Sequence, residues 1–129
     1  MTRDEINNLL QSLQAEEAKM NRTKGEGYAN NDDALANFKR AAQNLDLSPL
    51  QICAVYMGKH FDAIMSYAKH GEDITGEGLF GRVVDLRLYA ALFLALAREI
   101  VVGEGGPRLV PAEPPSGPYY QGAAEDIVF

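Results

Sequence analysis

Five ionisable side chains in two neighbouring segments have the types and spacing to form a polar site. Lys59 and His60 are adjacent in YMGKHFD, and Glu77, Arg82 and Asp85 follow in GEGLFGRVVDLRLYAAL. Cationic side chains donate hydrogen bonds to phosphate oxygens, whereas carboxylates bind magnesium or orient the cations. We therefore expect these residues to bind an anionic ligand, a metal ion, or one another.

Asp85 is the most informative of the five because its helix is otherwise strongly apolar. At about 100° per residue, its side of the helix also carries Leu88, Tyr89, Leu92 and Leu96. An ionised carboxylate on such a face is costly unless cations, donors or a metal meet it. A structural salt bridge and a ligand or metal role both stay open, and the candidate partners are Lys59, His60 and Arg82.

A magnesium site at Glu77 and Asp85 would need further ligands. Eight residues of helix separate the two carboxylates by about 12 Å along the axis, which is too far for direct binding of one ion. Glu16, Glu17 and Asp62 are possible additional donors. Magnesium at Glu77 and Asp85 is therefore a weaker prediction than a polar network.

A second group of residues could recognise a base or sugar. The segment GEGY ends at Tyr28, whose ring can stack on a base, and Asn37 has an amide that can read polar edges. The alternative is a capped loop between two helices. No GxxxxGK[ST] motif is present, so a phosphate-binding loop of that type is not expected.

Start and stop signals predict four helices and no strands. Thr2 and Glu5 form a capping box for a first helix that ends near Met20, and residues 21–33 are predicted to form a loop. Asp33 is the expected cap of a second helix. The apolar residues predicted to face its core are Ala34, Phe38, Ala41 and Leu45.

The third and fourth helices have clearer boundaries. Ser48, Pro49 and Gln51 form a strong start signal, and Gly71 is suited to end that helix after His70. The third helix is apolar on two sides, which is typical of a helix central in a bundle or shared with another subunit. The fourth is expected from about Glu77 to Val102.

Together these signals predict an all-α, four-helix bundle-like domain over residues 1–102. Residues 103–129 hold five of the chain's six prolines together with apolar side chains, so we expect either a flexible tail or an arm that docks on a subunit. The wide apolar faces also favour a homo-oligomer.

Charge and composition exclude several classes of function. A net charge of −6 disfavours nucleic-acid binding, which requires a basic surface. The single cysteine, Cys53, excludes an intrachain disulfide and is expected to be a small buried apolar residue. The polar start of the chain and the charges in its apolar stretch predict a cytoplasmic protein without a signal peptide or membrane span.

The order of three segments resembles a known family. EGYANNDDALANF, LSPLQICAVYMGKHFDAIMSY and GEGLFGRVVDLRLYAALFLAL are similar to small phage and prophage proteins of the nucleotide-modification-associated type. These proteins are akin to the all-α MazG-like nucleotide pyrophosphohydrolases. The resemblance covers about residues 26–98, and the matching positions are Tyr28, Asn37, Phe38, Lys59, His60, Asp62, Glu77, Arg82, Asp85 and Tyr89.

The resemblance implies a nucleotide-sized pocket between helices in a phage-type protein. Lys59, His60 and Arg82 would meet phosphate, while Tyr28 and Asn37 would meet the base or sugar. MazG-like enzymes hold magnesium with EExxE and ExxD motifs, but this chain has Met20 and Phe80 at the last position of each. Binding of a nucleotide or nucleotide-derived signal is therefore the main prediction. The alternatives are magnesium-dependent pyrophosphohydrolysis and a ligand-free interaction protein.

Overall fold

The computed structural model describes residues 1–28, 33–72 and 76–103, and the side chains of all of these except residues 24–28. Its elements are four helices: α1 (Arg3–Tyr28), α2 (Ala36–Leu45), α3 (Pro49–His70) and α4 (Leu79–Gly103). The predicted all-α, bundle-like fold is thus confirmed. The predicted tail lies outside the described residues apart from Gly103, which ends α4.

α1 starts as predicted but extends further. The backbone N–H of Glu5 donates to Thr2 Oγ1 at 3.1 Å and Glu5 Oε2 accepts from the Thr2 backbone at 2.6 Å, which completes the capping box. The prediction that the helix ends near Met20 is wrong, because the backbone stays helical to Tyr28. Thr23 illustrates the reason: its hydroxyl donates to the Lys19 carbonyl at 3.1 Å, so a residue that disfavours helices is accommodated within the helix.

α2 begins two residues later than an Asp33 cap would place it. Asp33 Oδ1 accepts from the backbone N–H of Leu35 at 3.0 Å, which forms a turn before the helix, and Leu35 is the residue at the cap position. This shift changes the buried side. Ala34 and Leu45 are exposed, contrary to the prediction, whereas Leu35, Phe38 and Ala42 are buried.

α3 has both predicted ends. Ser48 Oγ accepts from the Gln51 backbone N–H at 3.1 Å, and Gln51 Oε1 accepts in return from the Ser48 backbone N–H at 2.9 Å. Gly71 terminates the helix in the left-handed conformation with φ 71°, where a side chain would be strained.

α3 and α4 are the central pair. α2 packs on α3, and α1 packs on α4. The main apolar core joins α2, α3 and α4 and contains Leu35, Phe38, Ala42, Ile52, Cys53 and Leu96. Because α3 and α4 meet all along this core, polar residues on their facing sides are forced into proximity.

Two surfaces of the fold are exposed. On α4, Ala91, Leu94 and Arg98 face solvent. On α3, the side opposite the core carries Phe61 and Met65, which are about half exposed. Among the residues described, no helix has the length and apolar character needed to span a membrane.

Candidate functional site

A buried polar cluster lies between α3 and α4. His60 on α3 meets Arg82 and Asp85 on α4, and the three side chains are 9%, 5% and 10% exposed. His60 Nδ1 lies 3.3 Å from Arg82 Nη1 and 3.6 Å from Asp85 Oδ2. Three ionisable groups buried in a small apolar core are costly to desolvate, which marks this cluster as the candidate site.

Burial and two charged neighbours act on the protonation of His60. A guanidinium donates hydrogen bonds and cannot accept them, so a hydrogen bond from Arg82 Nη1 requires an unprotonated Nδ1 with the ring proton on Nε2. Burial lowers the pKa of His60 from its ordinary value of 6.5; Asp85 opposes this shift, and the positive charges of Arg82 and Lys59 add to it. His60 is therefore neutral at pH 7.

The guanidinium of Arg82 also reaches toward solvent through Glu77. Glu77 Oε2 accepts from Arg82 Nη1 at 3.1 Å, yet the Glu77 side chain is 57% exposed. Glu77 stands between Gly76 and Gly78, both with positive φ (77° and 83°), just before α4 begins. One buried cation is thus held by a carboxylate at the protein surface.

Aromatic rings extend the cluster toward α2. The His60 ring stacks on Tyr89 with centroids 5.4 Å apart and planes 21° apart, and Tyr89 lies 5.6 Å from Tyr56. Phe38 of α2 contacts both tyrosines edge to face at 6.2 and 6.3 Å. We call Phe38, Tyr56, Tyr89 and His60 the aromatic ladder.

The structure brings together only part of the predicted site. His60, Arg82 and Asp85 meet as predicted, but Lys59 is exposed, so the buried Lys59–Asp85 ion pair is not formed and His60 takes that place. The reason is helical geometry: successive residues point about 100° apart, so Lys59 and His60 cannot share one face.

The other two predicted ligand residues are placed differently. Asn37 is on α2, and its side-chain oxygen accepts a hydrogen bond from Arg40, one turn further along the helix. Tyr28 is the last residue of α1 and its side chain lies outside the described set. The predicted loop around Tyr28 is therefore partly helix.

The metal prediction gains no further ligand in the described ranges. Over residues 1–23, 33–72 and 76–103, no three or more His, Cys, Asp or Glu side chains are grouped to hold an ion. Glu17 forms an ion pair with Arg87 at 2.8 Å, and Asp62 is exposed on α3. Magnesium at Glu77 and Asp85 stays a prediction.

A groove occurs elsewhere on the surface. It has a volume of about 490 Å³ and is lined by Arg98, Glu99 and Val102. Thirteen residues of α4 separate Arg98 from Asp85, or about 20 Å along the axis. The described residues that line the groove are exposed, whereas His60, Arg82 and Asp85 are buried, so we assign the site to the cluster.

His60 should make stability depend on pH. Because its folded pKa is depressed, its contribution is fully present above pH 6.5 and is lost as the pH falls through the folded pKa. We expect the melting temperature to drop between pH 7.5 and 5.5 in the native protein and to drop less in His60→Gln. His70→Gln, at the exposed end of α3, is the control and should retain the native slope; equal slopes in all three proteins would contradict a neutral buried His60.

Tyr56 and Tyr89 were not among the predicted ligand residues, although Tyr89 was placed on the Asp85 side of its helix. Spacing could also have identified Tyr56, which precedes His60 by four residues, as Tyr89 follows Asp85 by four. Each tyrosine therefore lies on the same helix face as a cluster residue.

Comparisons with models of protein families, with curated proteins and with solved structures gave no match.

Proposed function

We propose that this chain binds a nucleotide or nucleotide-derived small molecule at the His60–Arg82–Asp85 cluster. The observation that carries the proposal is the burial of these three ionisable groups at one end of the aromatic ladder. Apolar side chains of similar volume often stabilise a core at least as well as a buried charged group, so stability alone is a weak explanation for the cluster.

The phosphate end of the ligand is assigned to Arg82. Its guanidinium can bind an anion through two N–H groups, and the contact with His60 fixes its orientation. Glu77, mostly exposed between two glycines of positive φ, would yield its place on Nη1 to the incoming phosphate. Asp85 would keep Arg82 and His60 in position rather than touch the ligand.

The base end of the ligand is assigned to the ladder. Tyr56 is 42% exposed, so part of its ring is open to a stacking base, and Phe38 supports that ring from α2. Asn37 adjoins Phe38 in sequence and supplies an amide at this end, and Tyr28 stays a predicted contact.

A thermal-shift panel tests the proposal. Nucleoside mono- and triphosphates, cyclic dinucleotides and ADP-ribose are added without metal, and at least one should raise the melting temperature and be recovered intact after denaturation. Arg82→Lys, which keeps the charge but loses the planar fork, should weaken the shift, whereas Arg98→Lys at the exposed end of α4 should not. The absence of a shift with every compound would refute the proposal.

The Glu77→Gln variant distinguishes nucleotide hydrolysis from nucleotide binding. If Glu77 and Asp85 hold magnesium for pyrophosphohydrolysis, Glu77→Gln abolishes metal-dependent pyrophosphate release. If Glu77 only occupies Arg82 in the absence of ligand, Glu77→Gln removes a competing anion and strengthens nucleotide binding. The two functions therefore predict different results for one variant: loss of pyrophosphate release for hydrolysis, and tighter nucleotide binding without metal for binding alone.

A ligand-free interaction protein is the second candidate function. It is favoured by the exposed apolar side chains along α4, where Phe80, Leu94 and Val102 are 43–50% exposed. This candidate predicts no thermal shift with any nucleotide and a change in oligomeric mass when the chain is shortened to end at Val102. The phage setting and the cytoplasmic location stay predictions for either function.

A further inference from the structure

The solvent side of α3 carries an apolar stripe. Ala54, Gly58, Phe61 and Met65 recur at intervals of four, three and four residues, so they lie on one face of the helix. Phe61 and Met65 are 50% and 47% exposed, and Val55 beside them is 64% exposed. This stripe faces away from the core formed by Ile52, Cys53 and His60 on the same helix.

Close packing among the described residues does not explain Gly58. It lies in the middle of α3, and a Cβ built there meets no atom of the described residues within 4 Å. A glycine inside a helix costs about 1 kcal/mol relative to alanine. Neither a positive φ nor close packing among the described residues accounts for this cost, whereas close approach of another helix would.

We propose that the stripe packs against the same stripe of a second copy, with the two α3 helices antiparallel. A two-fold axis between Gly58 and Phe61 places Phe61 of each copy over Gly58 of the other, and Met65 over Ala54. Each large side chain then meets a small one, twice, as an isologous interface requires. A parallel pairing would instead place like residues opposite each other.

The charges beside the stripe agree with this axis. Lys59 and Asp62 are exposed, and no described side chain forms an ion pair with either. The same two-fold axis brings Lys59 of one copy level with Asp62 of the other to within about 3 Å along the helix axis, on the same flank. The dimer would therefore contain two intermolecular ion pairs between Lys59 and Asp62.

Sedimentation equilibrium of the full chain without ligand tests the interface. We expect a dimer whose dissociation constant rises at least about tenfold in Gly58→Leu, because the added side chain occupies the space of Phe61. Gly81→Leu is the control: it also lies in a helix with nothing within 4 Å of a Cβ, but on α4, so the dimer should persist. A monomeric native chain, or a dimer unchanged by Gly58→Leu, would overturn the proposal.

A charge exchange provides a second test that does not depend on the folding of Gly58→Leu. Asp62→Lys alone should weaken the dimer, and adding Lys59→Asp should restore it, because the exchanged pair has the same complementarity. Failure of the double variant to recover the dimer excludes the antiparallel register. Both measurements are made without nucleotide, so their outcome is independent of ligand binding.

Discussion

Arg82→Met is expected to lower the free energy of unfolding by about 3–5 kcal/mol, the range found when one member of a buried charged group is removed. The substitution leaves Asp85 buried with a neutral His60 and without the guanidinium. Denaturant unfolding followed by circular dichroism measures the change. Arg98→Met is the matched control, because Arg98 is exposed on the same helix and its loss should change stability by no more than about 0.5 kcal/mol.

Replacing the whole cluster should have the opposite outcome. A triple variant, His60→Leu, Arg82→Met and Asp85→Leu, exchanges the polar group for apolar side chains of similar volume. It should recover the stability lost in Arg82→Met, since no buried charge is left uncompensated. If the triple variant is less stable than the single one, the cluster is a structural necessity and the argument for a functional role is lost.

Leu96→Ala is the second large effect, with an expected loss of about 2–5 kcal/mol. Leu96 is 2% exposed and lies in the core shared by α2, α3 and α4, so truncation leaves a cavity that the helices cannot fully close. Leu94→Ala removes the same atoms two residues away, where the side chain is 43% exposed. Its cost should be below about 1 kcal/mol, and equal losses for the two variants would contradict the placement of α4.

Local sequence signals predicted the ends of the helices better than they predicted how the helices pack. Ser48, Gln51 and Gly71 defined both ends of α3 because caps satisfy backbone groups within a few residues. The predicted start of α2 at Asp33 was wrong because an aspartate makes equally good hydrogen bonds in a turn before a helix. Sequence periodicity could not show which of two apolar sides of α3 faces α4.

The candidate site was predictable where one helix face carries several signals. Arg82 and Asp85 share a face of α4 at a spacing of three, and the apolar residues around Asp85 indicated that it needs polar partners. Lys59 and His60 were indistinguishable by sequence because both could meet Asp85. Only the rotation of α3 about its axis decides that His60 enters the core, and this rotation depends on tertiary contacts with α2 and α4.

The most direct test of the central claim is the affinity of the native chain and the triple apolar variant for the nucleotide that gives the largest thermal shift. Isothermal titration calorimetry without metal should show saturable binding to the native chain and at least about a hundredfold loss in the triple variant, which corresponds to about 2.7 kcal/mol. The variant must first be shown to be folded by its unfolding curve. Equal affinity of the two proteins would contradict the assignment of the ligand to His60, Arg82 and Asp85.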